Sequence, residues 1–175
     1  MQPIIRPLAP DDDIARLTAL IHAAYAPHGA RGLRYWGTHQ TVEDTASRFA
    51  AGYALIAQAN GEYAGTITVR APQPDSPVAL YRDPHTWSIS QFAVAPEFKG
   101  KGVGKMLHGA ALDYARSRGA RTMALDTAQP AAALIAMWRA WGYREAGTAD
   151  WRPHTNYLSV VMCQPVNPPP ENPDA

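Results

Sequence analysis

The segment Val94-Ala95-Pro96-Glu97-Phe98-Lys99-Gly100-Lys101-Gly102-Val103-Gly104-Lys105-Met106-Leu107 constrains this chain more than any other. It follows the apolar run Phe92-Ala93-Val94 and leads into a helical pattern. Glycines at the alternate positions 100, 102 and 104 leave an arc of backbone almost bare of Cβ atoms, which a ligand can approach closely. The first amides of the adjoining helix lack intrahelical partners and carry the positive end of its dipole. Strand, glycine arc and helix start make a phosphate cradle, and Lys99, Lys101 and Lys105 surround it with mobile cations. The segment predicts an anionic ligand, a pyrophosphate in particular.

Two well-known phosphate loops do not fit. The nucleotide P-loop needs glycine at position 99 and a hydroxyl at 106, where Lys99 and Met106 stand. The dinucleotide fingerprint needs a third glycine where Leu107 stands.

The segment resembles motif A of the GNAT superfamily of N-acetyltransferases. That motif reads Gln/Arg-x-x-Gly-x-Gly/Ala, comes after an apolar strand and a proline, and opens a helix. Lys99, Gly102 and Gly104 fill its positions, Lys99 departing from Gln/Arg. The resemblance implies acetyl-CoA as co-substrate, held by Phe92, Ala93, Val94, Lys99, Gly100, Lys101, Gly102, Val103, Gly104 and Lys105, with a main-chain amide near Phe92 to Val94 facing the thioester carbonyl. A second family motif is only partly present. Gly142-Tyr143 fills its closing pair, but Ala132 stands where the family has Asn and Trp138 where it has Tyr. In relatives that Tyr lies near the CoA sulfur and protonates the departing thiolate. Trp138, placed by the motif beside the cofactor, has only an N–H donor, so the role does not carry over. A thiol of reference pKa about 8.5 leaves without full protonation, and water can supply the proton. Stabilising the oxyanion matters more.

Local punctuation gives the element order. Ile4 to Leu8 reads as a strand; Pro10 fits a first helical position, with Asp11, Asp12 and Asp13 loading the positive dipole end. Ile14, Leu17, Ile21 and Tyr25 keep helical spacing. Thr41-Val42-Glu43-Asp44 resembles a capping box for a second helix ending at Gly52. Tyr53 to Ala59 and Tyr63 to Arg70 are strands joined by the hairpin turn Asn60-Gly61. A proline-rich loop, Ala71 to His85, precedes the strand Trp87 to Val94; a helix then runs to Gly119. Thr122 to Leu125 is a strand, Ala131 to Trp141 a helix, and Tyr143 to Ala149 and Tyr157 to Cys163 the last strands. This order is that of the GNAT fold: α/β with α+β character, a twisted mixed sheet of about seven strands flanked by about four helices. It implies one domain over residues 1–164 and a proline-rich, disordered tail over 165–175.

Composition narrows the partners. With 46% hydrophobic residues in 175, the chain can pack one core. A net charge of +1 argues against nucleic acid or anionic membrane as partner. The lone Cys163 suits a reducing compartment, and no signal peptide or spanning segment is read, so the expectation is cytoplasmic. No metal site is read, and a homodimer is left open.

The acceptor side is less defined. An alkyl amine is mostly protonated at neutral pH and needs a base. Some relatives carry a carboxylate on the strand before the loop, where this chain has only Ser88, Ser90 and Gln91. The candidates are His39, Asp150, His154 or a water held by Ser90. Asp126 and Thr127 end an apolar strand and either cap the next segment or line a crevice; Asn156 and Tyr157 are assigned to the last strand. The acceptor is expected between the segment joining the first two helices and the last hairpin. There Tyr35 and Trp36 offer flat faces, while Arg31 and Arg34 could clamp a carboxylate. That predicts a small amine bearing an acidic or aromatic group. Three functions stay open: an N-acetyltransferase acting on a small-molecule or protein amine, a non-catalytic acyl-CoA-binding module, and a nucleotide-binding protein.

Overall fold

The computed structural model describes residues 2–167. β1 (Ile4–Pro7) pairs antiparallel with β2 (Tyr53–Ala59), and β2 turns through Asn60 and Gly61, both at positive φ, into β3 (Glu62–Arg70). This is the Asn-Gly hairpin that the sequence predicts. β3 pairs antiparallel with β4 (Thr86–Val94). β5 (Thr122–Ala128), β6 (Arg144–Asp150) and β7 (Leu158–Pro165) complete one seven-stranded sheet in the order β1-β2-β3-β4-β5-β7-β6.

Helices cover both faces. α1 (Ile14–Ala30) and α2 (Val42–Ala50) pack Leu17, Ile21 and Phe49 against Ala54, Ile56 and Ala93. On the other face α4 (Val103–Ser117) and α5 (Ala132–Ala140) bury Leu107, Ala111, Ile135 and Trp138 against Leu55, Ile67, Val69 and Met162. Consecutive residues of β2 thus serve opposite cores, which explains its nearly unbroken apolar run.

Four sequence expectations need correction. α1 begins at Ile14, not Pro10, with Asp13 as its N-cap accepting from the Arg16 amide at 3.0 Å. Asp12 is drawn away by Arg6, which grips both its oxygens. The proline-rich loop contains a short helix, α3 (Ala79–Arg82), packing Tyr81 against the sheet. The tail does not begin at 165: Gln164 and Pro165 belong to β7, Val166 is buried, and Arg116 donates to the Val166 carbonyl and the Asn167 side chain. The tail expected over 168–175 lies outside the described residues. The capping box at Thr41 is present, with Asp44 as its reciprocal partner.

One departure from regularity makes the site. β4 and β5 run parallel but pair only over Thr86–Ser88 against Thr122–Ala124. Beyond Ser88 and Ala124 they separate, leaving backbone of both strands facing a cleft. β4 also bulges, with Gln91 at φ 49° and a register shift against Thr66 to Thr68. A buried amide chain holds the bulge: Gln40 donates to Gln91 Oε1 at 2.6 Å, and Gln91 donates to the Thr45 carbonyl at 3.2 Å.

Candidate active site

The separated strands open a cleft of about 790 Å³ that runs from the glycine loop, past the β4 bulge, to the C-terminal part of α2. At its loop end stands the glycine arc that the sequence singles out. Gly102, the N-cap of α4, has φ 81°, and Gly100 has φ 74°. A Cβ built on either would meet no atom within 4 Å, so the arc is open to a ligand. The first helical bond of α4 runs from Met106 N to Gly102 O, leaving the amides of Val103, Gly104 and Lys105 without a backbone acceptor among the described residues. Gly104 is different: its backbone is helical, and a Cβ there would lie 3.2 Å from the Phe92 ring and 3.5 Å from that of Trp141.

Most of the predicted loop residues line this end: Phe92, Ala93, Val94, Lys99, Gly100, Gly102, Val103, Gly104 and Lys105. Lys101 does not line it; its ammonium sits 5.4 Å from the centroid of the Phe98 ring. Lys99 reaches the Ala24 carbonyl at 3.4 Å, tying the loop to α1. Trp138 lines the wall and is 4 % exposed, set in an aromatic cluster with Phe92 at 5.4 Å and Trp141 at 5.2 Å. His108 joins that cluster, bonded to the Tyr143 hydroxyl at 2.8 Å; burial lowers its pKa to about 4, so it is a neutral core histidine.

The proposed bases fare unevenly. Ser90 lines the cleft. His39 and His154 stack on Trp36, at 5.7 and 4.7 Å, and neither lines the cleft. Asp150 is outside it too, engaged by the Arg152 side chain and amide, which lower its pKa to about 2. The carboxylate at the split is Asp126, at the end of β5. It accepts from the Tyr81 hydroxyl at 2.6 Å and the Trp151 indole N–H at 2.8 Å. The sequence around Asp126 fits a cap as well as a crevice residue, because its partners lie 45 and 25 residues away and carry no local signal. His28 also lines the cleft, its pKa lowered by burial and then by Lys99 and Arg31.

The loop between α1 and α2 contributes Tyr35 and Trp36 to the cleft. Tyr35 is buried, its hydroxyl hydrogen-bonded with that of Thr127 at 2.9 Å and its ring centroid 4.9 Å from that of Tyr157. Tyr157 thus lines the cleft rather than serving only the last strand. Arg34 does not line it. Its guanidinium donates to the carbonyls of Pro153 and His154, while Asn156 accepts from the Arg34 amide, so this residue staples the loop to the β6–β7 connection. Arg31 is exposed and also lies outside the cleft. The arginines that do enter are Arg48 of α2 and Arg70 at the end of β3.

Among the described residues, no group of three or more His, Cys, Asp or Glu is placed to hold a metal ion, and no helix is long and apolar enough to cross a membrane.

Comparison with known proteins agrees with this geometry. The model of the Acetyltransferase (GNAT) family matches residues 17–143. A curated relative, the S-alkylcysteine N-acetyltransferase of Bacillus subtilis (strain 168), is 28% identical over 101 residues, 57% of this chain. The match spans about half of that relative's length, 54%. Among solved structures, the ribosomal-protein-S18-alanine N-acetyltransferase from Escherichia coli superposes with a TM-score of 0.70 at 20% identity, covering 97% of each chain. A GNAT family acetyltransferase from Elizabethkingia anophelis with acetyl-CoA bound superposes with a TM-score of 0.67 at 15% identity, over 94% of this chain and 98% of that one. At such identities the superpositions speak for the fold.

Proposed function

The chain belongs to the acetyltransferase (GNAT) family, and we propose that it moves the acetyl group of acetyl-CoA directly to a primary amine within a ternary complex. One observation carries this reading. The glycine cradle and free α4 amides stand at the mouth of the β4–β5 split, and one continuous cleft joins them to a second, polar end. Two ligands can therefore enter from opposite ends and meet at the bulge.

The residues present fit acetyl-CoA. The Gly100–Lys105 backbone and the Lys99 and Lys105 side chains would hold its pyrophosphate, and Trp138, Trp141 and Phe92 would flank the thiol arm. Bound there, acetyl-CoA supplies an activated acetyl thioester. The amine nitrogen forms the new bond to the carbonyl carbon as the carbon–sulfur bond breaks, and the thiolate takes its proton from water. We assign removal of the amine proton to Asp126. It is the carboxylate at the split, whereas His28, the other candidate base lining the cleft, packs against Tyr25 and Tyr35 and is disfavoured as a proton acceptor by burial and by Lys99 and Arg31. Tyr81 and Trp151 orient Asp126, and each of its oxygens keeps capacity for a further donor.

The Bacillus subtilis relative is an S-alkylcysteine N-acetyltransferase, which favours a small amine over a protein as acceptor here. A cytoplasmic location belongs to the same proposal. The test is thiol release from acetyl-CoA over a panel of amines, beside calorimetric titration with acetyl-CoA, CoA and ATP. Tight acetyl-CoA binding without thiol release on any amine would point to a non-catalytic acyl-CoA module; preference for ATP would sink both readings.

A further inference from the structure

The end of the cleft away from the glycine loop holds two guanidinium groups that the chain leaves without a carboxylate. Arg48, in the last turn of α2, reaches over Trp36, its guanidinium carbon 5.7 Å from the ring centroid. Arg70 ends β3, opposite Ser88 of β4. Both line the cleft. Among the described residues, ion pairs involve Arg6, Arg16, Arg116, Arg139 and Arg152, and neither of these two. Arg48 donates to a neutral amide oxygen, that of Gln40, at 2.6 Å. The Arg70 Nε is buried with no acceptor at all.

The nearby carboxylates are already employed. Asp126 receives Tyr81 and Trp151, and Asp44 closes the capping box of α2 by accepting from the Thr41 amide. Burial lowers the pKa of both arginines, and Arg70 adds to the effect on Arg48. A guanidinium nevertheless stays protonated in a protein. Arg48 and Arg70 are thus two half-buried positive charges; Asp126 and Asp44 act on Arg48 electrostatically but form no ion pair with it, and a ligand carboxylate would supply the missing partner. The planar fork of Arg matches a carboxylate with two parallel hydrogen bonds.

We propose that Arg48 and Arg70 form a carboxylate subsite, so that the acceptor is a small amine that also carries a carboxylate, the pattern of a free α-amino acid. The inference deepens the acetyl-transfer reading and rests on it. It also replaces the clamp that the sequence suggested: Arg34 is occupied by backbone carbonyls, and the carboxylate-binding role passes to two residues from different elements. Asp126, between this subsite and the loop, faces the ammonium end of the same ligand. The aromatic walls of Trp36, Tyr157 and Trp151 accept an apolar side chain.

The experiment compares matched amines that differ only at the carboxylate. S-Methylcysteine, methionine and phenylalanine are each assayed beside their carboxamides and their decarboxylated amines, with phosphoethanolamine as a competing anion. At least one acid should exceed its amide by roughly 100-fold in kcat/KM, as expected when a site built to bond a group meets an analogue lacking it. Arg70→Gln and Arg48→Gln should each lower kcat/KM for that acid by roughly 100-fold, mostly through KM. In both, the acid-to-amide ratio should fall to within about threefold and the acetyl-CoA KM stay within about twofold. Arg70→Lys, which keeps the charge but not the fork, should recover only part of the loss. Equal use of acid and amide by the unmodified protein, or preference for phosphoethanolamine, overturns the inference, whatever the variants do. Binding separates this from failure of the transfer reading. N-Acetylated amino acids and their amides are titrated while tryptophan emission is followed. Carboxylate-dependent binding lost in Arg70→Gln upholds the subsite even if no amine is acetylated; binding indifferent to the carboxylate removes it.

Discussion

Gly104 offers a sharp test of how the loop works, because the structure separates three effects there. Its backbone is helical, so no strain is relieved by glycine, and alanine should favour α4 by about 0.5–1 kcal/mol. Against this, the new Cβ would lie 3.2 Å from Phe92 Cζ, 3.5 Å from the Trp141 ring and 3.6 Å from Val94 Cγ2, so the Phe92 ring must shift by a few tenths of an ångström. The two roughly cancel, and Gly104→Ala should fold normally and bind acetyl-CoA within about threefold of the unmodified protein, a difference of well under 1 kcal/mol. Valine adds two methyl groups at the same point. Crowding against Phe92, Trp141 and Val94 should cost about 1–3 kcal/mol. The methyls would also stand over the free amides of Val103 and Gly104. Each charge-assisted hydrogen bond lost to a phosphate oxygen is worth about 1.5–3 kcal/mol, so losing one or two should weaken binding by roughly 10-fold to about 20,000-fold. Titration calorimetry gives the dissociation constants. Thermal unfolding without ligand separates the packing cost, which should appear as a melting point lower by about 2–9 °C. An unchanged constant for Gly104→Val in a folded protein refutes the phosphate-cradle reading.

Trp138→Tyr should change kcat by less than about tenfold, since no acid is required at that position; a larger gain, measured by thiol release, would show that the missing hydroxyl limits the reaction. Trp36→Ala should raise the acceptor KM by about tenfold and leave the acetyl-CoA KM within twofold, because Trp36 faces the acceptor end and carries Arg48. Equal effects on both substrates would remove Trp36 from the acceptor site. Asp126→Asn should lower kcat by about 100-fold or more at neutral pH, with partial recovery at alkaline pH where the amine deprotonates unaided; a flat loss across pH would show that Asp126 only positions its neighbours. Asp12→Asn should destabilise the fold by about 1–3 kcal/mol, because Arg6, Tyr63 and the Ala9 amide all donate to that carboxylate. These partners, Arg6 foremost, hold its pKa well below the usual range. The stabilisation is therefore fully present above about pH 4, the unfolded value, and fades as the pH falls below it. The difference in denaturation midpoint between Asp12→Asn and the unmodified protein should shrink in acid, and one that grows there contradicts the assignment.

The features legible in the sequence are those encoded locally. Asn60-Gly61 turns a hairpin because the two residues accept positive φ, and Thr41 with Asp44 caps α2 through contacts three residues apart. The loop from Val94 to Leu107 carries its open backbone arc in its own glycines, Gly100 and Gly102 at positive φ. The misplaced features depend on distant partners. Three aspartates in a row suggest dipole charges, but Arg6 claims Asp12 and only Asp13 caps α1. A proline-rich stretch hides α3, which is held when the Gln73 amide bonds the Tyr81 carbonyl and Tyr81 reaches across to Asp126. A proline-rich ending hides the last residues of β7, since the hold of Arg116 on Val166 spans 50 residues. The acceptor end fails for the same reason. Arg34 and Arg48 look alike in sequence, and only the fold turns one to backbone carbonyls and the other into the cleft.

The two anion subsites proposed for the cleft are built in different ways, and the difference bears on which variants should affect rate. The glycine loop presents backbone amides and flexible lysines, suited to the diffuse charge of a pyrophosphate. The other end presents two planar guanidiniums on structured elements, with Arg48 tied through Gln40 to the amide chain that holds the β4 bulge. Neither a pyrophosphate nor a carboxylate changes charge while an acetyl group is transferred. Contacts to them are thus equally good before and during the reaction, and such uniform binding lowers KM without raising kcat. On the proposed mechanism, rate comes from groups at the split, where charge develops: the β4 backbone near the bulge, and Asp126. Variants at Arg48, Arg70 and the glycine loop should accordingly appear in KM or Kd, and Asp126 in kcat. Arginine variants that depress kcat at saturating acceptor would mean that these residues also set the geometry of attack, and the division of labour along the cleft would have to be redrawn.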